Sequence, residues 1–123
     1  MWADAVDLLE QAERLHRQFF RLAGAPGQPR WEPPADVYET GEELLVVVAL
    51  PGVPPDRVQL GFEAGELVIR AQRALTRRPG ASIQRLEIPY GLFERRLALP
   101  PGRYELVASD HRDGCLQLLI ARR

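Results

Sequence analysis

Two hydrophobic periods divide the chain. Between Trp2 and Ala23, Leu8, Ala12, Leu15, Phe19 and Leu22 recur at intervals of four and three, one stripe on a 3.6-residue helix. Asp7, Glu10, Gln11, Arg14, Arg17, Gln18 and Arg21 take the other side, with Glu10–Arg14 and Glu13–Arg17 at helix-supporting spacing. Asp4 is placed to cap the start, and Gly24 followed by Pro26 stops the helix. Leu9 and Phe20 widen the stripe beyond a narrow coiled-coil seam. Such a stripe either packs on a folded domain or stays available as a sticky arm, and periodicity does not choose between the two.

Residues 25–34 read as a linker by composition, and the prolines at 33 and 34 extend the chain before a strand can form. From Ala35 onward the period is two. Val58, Leu60 and Phe62 alternate with Gln59, Gly61 and Glu63; Leu67, Ile69 and Ala71 repeat the pattern, as do Leu116, Leu118 and Ile120. The run Leu44–Leu50 is apolar at every position, which predicts a strand covered on both sides. Turns at Pro51-Gly52, Ala64-Gly65, Pro79-Gly80, Pro100-Pro101-Gly102 and Asp113-Gly114 separate these runs. Seven or eight short strands with no second helix predict an all-β, immunoglobulin-like antiparallel sandwich over 35–123, preceded by a helical arm at 1–24.

Composition narrows the function classes. With 123 residues there is room for one domain and a short appendage. An apolar fraction of 46% beside 27% charged residues is that of a folded domain rather than a disordered chain. Sixteen basic and 17 acidic residues give a net charge of −1, which argues against nucleic acid as a partner. One cysteine rules out an internal disulfide, and no apolar run approaches membrane-spanning length, so the expected setting is the cytoplasm with no membrane partner.

Catalytic chemistry is not visible. His16 and His111 have no metal-ligand partner at a suitable interval, and Cys115 has no thiolate-stabilising neighbour in sequence. Thr40, Thr76, Ser82 and Ser109 lack a nucleophile-elbow context. Asp36 and Glu39 are three apart on a strand, hence on opposite faces. No lysine follows a glycine-rich loop, because the chain contains no lysine; its basic residues are all arginine, with Arg70, Arg73, Arg77, Arg78 and Arg85 gathered around a central loop. Arginine pairs bidentately with carboxylates, so an interface role for that group stands beside a merely solvated one. The expectation is no enzyme, no cofactor and no metal.

Five segments then carry a resemblance. Pro34-Ala35-Asp36-Val37-Tyr38-Glu39, Leu44 to Val53 with its Leu-Pro-Gly turn, Gly65-Glu66-Leu67-Val68-Ile69-Arg70, Glu87 to Arg95 ending at Leu99-Pro100, and Gly114-Cys115-Leu116 resemble, in order and spacing, the α-crystallin domain of bacterial small heat-shock proteins. The start of the chain, with Leu8, Leu9, Arg14, Leu15 and Phe19, is similar to that family's N-terminal arm. The resemblance implies an ATP-independent holdase that captures partly unfolded client proteins, prevents their aggregation and leaves refolding to ATP-dependent chaperones. It implies a client-binding arm at Leu8, Leu15, Phe19 and Phe20, and a homodimer or small oligomer made by exchange of the Arg73–Leu86 loop. Gln84 and Arg85 of one copy, with Arg73, would then face Asp36 and Glu39 of the other. It also implies an apolar groove lined by Val58, Leu60, Leu106 and Ala108, where members of the family dock a tail motif.

Departures from the family pattern shape the expectation. No tail follows the last strand, and Leu118-x-Ile120 lies inside that strand, where it reads as core, so small assemblies are expected rather than cages. Ile88 stands where many bacterial members have arginine, and Gly114 follows Ala108 by one residue more than usual, which predicts a bulge or longer turn in the last hairpin. Two other functions remain open: a binding module or co-chaperone of CS-domain type that recognises a folded chaperone, and a modulator that joins other small heat-shock proteins.

Overall fold

The computed structural model describes residues 21–23, as backbone, and 30–123. The predicted helical arm lies outside those residues except at its end, where Arg21–Ala23 is extended and forms strand β1. Eight more strands follow: β2 (Arg30–Glu32), β3 (Ala35–Thr40), β4 (Glu43–Ala49), β5 (Val58–Glu63), β6 (Glu66–Arg73), β7 (Gly91–Ala98), β8 (Tyr104–Arg112) and β9 (Cys115–Arg122). A single 3-10 turn, Pro55–Arg57, is the only helical element among the described residues.

The strands form two sheets, ordered β1-β2-β7-β6-β5 and β3-β4-β9-β8. Every pairing is antiparallel except β2 with β7. The all-β sandwich read from the period-two pattern is therefore what the chain adopts, and the Leu44–Leu50, Val58–Phe62, Leu67–Ala71 and Leu116–Ile120 runs all supply strands. Register explains the core. Leu44, Val46 and Val48 on β4 stand opposite Ile120, Leu118 and Leu116 on β9, and all six are buried. Leu67, Ile69 and Ala71 on β6 face them from the other sheet, and Phe93 joins from β7. The alternation that left Leu45, Val47 and Ala49 on the other side of β4 leaves them half-buried, so β4 is covered fully on one side only by the described residues.

Two strands occupy stretches that composition assigned elsewhere. β2 lies within the predicted linker because Trp31 drives it: the indole is buried in the core and its Nε1 donates to the Tyr90 carbonyl at 3.0 Å. Pairing parallel to β7, at Arg30 with Leu92 and Trp31 with Phe93, fixes that indole in place. The prolines at 33 and 34 then cross to the second sheet in two residues, and the Pro34 carbonyl accepts a bond from the Ala49 amide at 3.0 Å. So short a link keeps β2 and β3 on the same side of the sandwich. The two far edges, β5 and β8, consequently share the opposite side.

Candidate functional site

Three regions are open: the β3 edge, the segment between β6 and β7, and the β5 and β8 edges. β3 is the end strand of its sheet, and from Asp36 to Thr40 it is exposed on both faces. Val37 aligns with Val46, so it points to the interior side, yet it is 48% exposed. Asp36 and Glu39 lie on this strand, and with Glu42 and Glu43 they make the stretch from 36 to 43 purely acidic. An unpaired edge of this kind offers amide and carbonyl groups to an added strand.

The segment between β6 and β7 has no strand of its own and runs from residue 74 to 90. Such length without internal structure is unusual in a compact domain and marks a binding or exchanged element. It curls around an open space of about 1070 Å³ bordered by Leu75, Ile83, Leu86 and Ile88. Ile83 and Ile88 are exposed, so the loop offers apolar side chains without a core behind them. Arg77, Arg78 and Arg85 against Glu87 make it basic, opposite in sign to β3. Gln84 and Arg85 are both exposed here, and Arg85 approaches Glu87 of the same loop at 3.7 Å. Arg73 sits differently from its loop companions. It is half-buried at the loop base, its Nη1 donates to the Pro89 carbonyl at 3.2 Å, and its side chain crosses the Leu50-Pro51-Gly52 turn. Its position is that of a clamp within the chain.

On the opposite side lies the space between β5 and β8. Val58, Leu60 and Phe62 stand opposite Ala71, Ile69 and Leu67, which places all three on the interior face. Val58 packs against the core, but Leu60 and Phe62 are 36% and 44% exposed. Across from them Leu106 aligns with Ile120 and is also interior-facing and exposed. A hydrogen bond of 3.1 Å from the Leu99 amide to the Gly65 carbonyl extends the β6–β7 ladder by one residue and fixes where the chain leaves β7 for β8. Ala108 does not line this surface with Leu106. The register shifts between them, Ala108 pairs with Leu119, and Val107 becomes the extra residue, so Ala108 turns to the outer face. The bulge expected from hairpin length is present, and it moves the residue. Phe62 takes the vacant place; its alternation with Val58 and Leu60 was the available signal.

The outer face of the first sheet is charged. Glu94 on β7 is only 8% exposed, and Arg30 from β2 donates to its carboxylate. Arg70 and Arg96 approach its other oxygen at 3.3 and 3.4 Å, and Arg96 also reaches Glu63 at 3.3 Å. Burial alone would raise the Glu94 pKa, but the Arg30 hydrogen bond and the charges of Arg30, Arg70 and Arg96 hold it below the ordinary glutamate value. This face is an internally paired network. His111 and Cys115 lie in the β8–β9 hairpin, and no group of three metal-ligating side chains forms among the described residues. No helix there is long and apolar enough to cross a membrane.

These strands define a β-sandwich whose end strands are open and flanked by interior-facing apolar side chains. The chain belongs to the Hsp20/alpha crystallin family, whose model matches residues 36–123. It is 30% identical over 115 residues to the 18 kDa antigen 1 of Mycobacterium avium, covering 93% of this chain and 75% of that one. With the 18 kDa heat shock protein of Streptomyces albus G it shares 31% over 93 residues, 71% of this chain and 62% of the relative. Among solved structures, hspA from Xanthomonas axonopodis superposes with a TM-score of 0.65 at 29% identity, covering 76% of this chain and 96% of that one. A small heat-shock protein from Xylella fastidiosa gives 0.63 at 28% identity, over 76% and 88% of the two chains. The resemblance read from the sequence is thereby established, and the family is one of small heat-shock chaperones rather than enzymes.

Proposed function

We propose that the protein is an ATP-independent holdase that acts as a homodimer and binds partly unfolded clients. The observation that supports this reading is the pair of end strands, β5 and β8, whose interior-facing Leu60, Phe62 and Leu106 are exposed. An extended client segment laid there gains ladder hydrogen bonds and buries apolar area worth roughly 25 cal/mol per Å². The arm residues Leu8, Leu15, Phe19 and Phe20 add a second apolar surface from outside the described residues. Dimerisation is supported by charge: the 74–90 loop is basic and β3 is acidic and open, so Arg85 of one copy suits Asp36 and Glu39 of the other. Cytoplasmic clients and ATP-dependent chaperones downstream complete the reading.

Light scattering of a heat-labile client, without ATP, tests it. Suppression of aggregation at near-stoichiometric protein is the expected outcome. Unaltered scattering at a several-fold excess would reject holdase activity and turn attention to recognition of a folded chaperone.

A further inference from the structure

At one end of the sandwich the 3-10 turn Pro55–Arg57, the end of β6 and the start of β7 surround an open cleft of about 520 Å³. Arg57, Arg73, Gln72 and Tyr90 line it, Pro54 and Leu75 give it an apolar flank, and no acidic side chain among the described residues borders it. Space of this size, mostly closed by apolar groups with a few polar ones, suits a small organic ligand. From its charge and its fixed donors we infer that this cleft binds a small phosphate-bearing anion, either inorganic phosphate or a phosphate monoester.

Charge selects the ligand class. The other arginines of β2, β6 and β7, namely Arg30, Arg70, Arg95 and Arg96, are each paired with a glutamate. Arg73 and Arg57 form no ion pair with a carboxylate among the described residues, so two guanidinium charges face one space uncompensated. A phosphate monoester carries close to two negative charges at neutral pH and offers three oxygens that arginine recognises well. The donors are also held ready. Arg73 spends one of its five N–H groups on the Pro89 carbonyl at 3.2 Å, and the missing side chain of Gly52 leaves room for its Nε. A guanidinium fixed before binding loses little freedom when the anion arrives. Position adds a further reason. Arg57 immediately precedes Val58, which pairs with Ala71, so the turn brings it to the Gln72–Arg73 end of β6. Both cations therefore stand on the sandwich and not on the 74–90 segment, whatever course that segment takes. A bound anion would join the crossing between β4 and β5 to the root of that segment. The inference goes beyond the chaperone reading and does not depend on it.

Trp31 reports on the cleft, because its Nε1 donates to the carbonyl of Tyr90, one of the lining residues. In the full chain carrying Trp2→Phe, Trp31 is the single tryptophan. At constant ionic strength, inorganic phosphate and glycerol 3-phosphate should each shift its emission saturably. Tighter binding of the ester would assign the apolar flank to its carbon chain, and equal binding would assign the site to the phosphate group alone; both outcomes uphold it. The rise of unfolding temperature with phosphate concentration gives the same constants without the fluorophore. Arg57→Ala, at an exposed side chain, should weaken phosphate binding about tenfold through loss of one charge-assisted contact. Arg103→Ala removes the same charge at an exposed position outside the cleft and should leave the affinity unchanged. The proposal would be overturned if neither readout responded to phosphate, or if chloride reproduced the response at equal ionic strength. Equal loss in the two variants, or wild-type affinity in Arg57→Ala, would overturn it too. Succinate binding as tightly as phosphate would overturn the assignment to a phosphate group.

Discussion

Glu94 shows how one buried carboxylate is kept charged. Its folded-state pKa is depressed by Arg30, Arg70 and Arg96, so its contribution to stability is full above the ordinary glutamate pKa of roughly 4.3 and fades as pH falls through the folded value. Glu94→Gln should therefore lower stability by about 1–2 kcal/mol at neutral pH, with the cost shrinking in acid. Urea unfolding of both proteins at pH 7 and pH 3.5 checks this; an undiminished gap at pH 3.5 would contradict it. A second residue argument concerns Gly52, whose φ of +79° favours glycine and whose added side chain would have to displace the Arg73 side chain. A methyl group there would stand 2.8 Å from Arg73 Nε, displacing the clamp that also holds Pro89. Gly52→Ala should cost about 1–2 kcal/mol from the left-handed backbone alone. Differential scanning calorimetry should show that loss together with faster proteolysis in the 74–90 loop.

The elements were legible from the sequence to different depths. Strands with strict alternation, such as Leu67–Ala71 and Leu116–Ile120, were readable because one face is buried and one wet, which leaves a period in the residues themselves. β2 was not readable: three residues between prolines carry no period, and only the tertiary role of Trp31 makes them a strand. For the groove, alternation placed Val58 and Leu60, whereas Leu106 and Ala108 rested on the family resemblance, and a bulge resets parity between them at a residue that turn counting does not identify. The clamp role of Arg73 depends on the distant Gly52 and Pro89 and left no local mark. The groove as revised makes its own prediction. Leu60→Ser with Leu106→Ser should weaken capture of an extended apolar peptide by tenfold or more, given the roughly 1.5–3 kcal/mol that burial of one such side chain contributes. Fluorescence anisotropy of a labelled peptide measures it, with circular dichroism confirming the fold; unchanged affinity would leave the arm as the sole client surface.

At the scale of the molecule, the sandwich separates its two kinds of open edge. On the proposed reading, acidic β3 and the basic 74–90 loop serve self-association and the β5 and β8 edges serve clients, so assembly need not consume the client surface. Removing residues 75–82 should convert dimers to monomers in sedimentation velocity while preserving the circular dichroism of the sandwich, and a persistent dimer would show that the loop is not the joint. The extra residue at Val107 has a further consequence for a protein that works with exposed strand edges. A β-strand template can propagate a fibril only where its hydrogen-bonding groups repeat evenly over six or seven residues. β8 is interrupted between Tyr104–Leu106 and Ala108–Arg112, so neither uninterrupted stretch reaches that length. The β8 edge can therefore hold a short guest strand but is a poor template for an amyloid ladder.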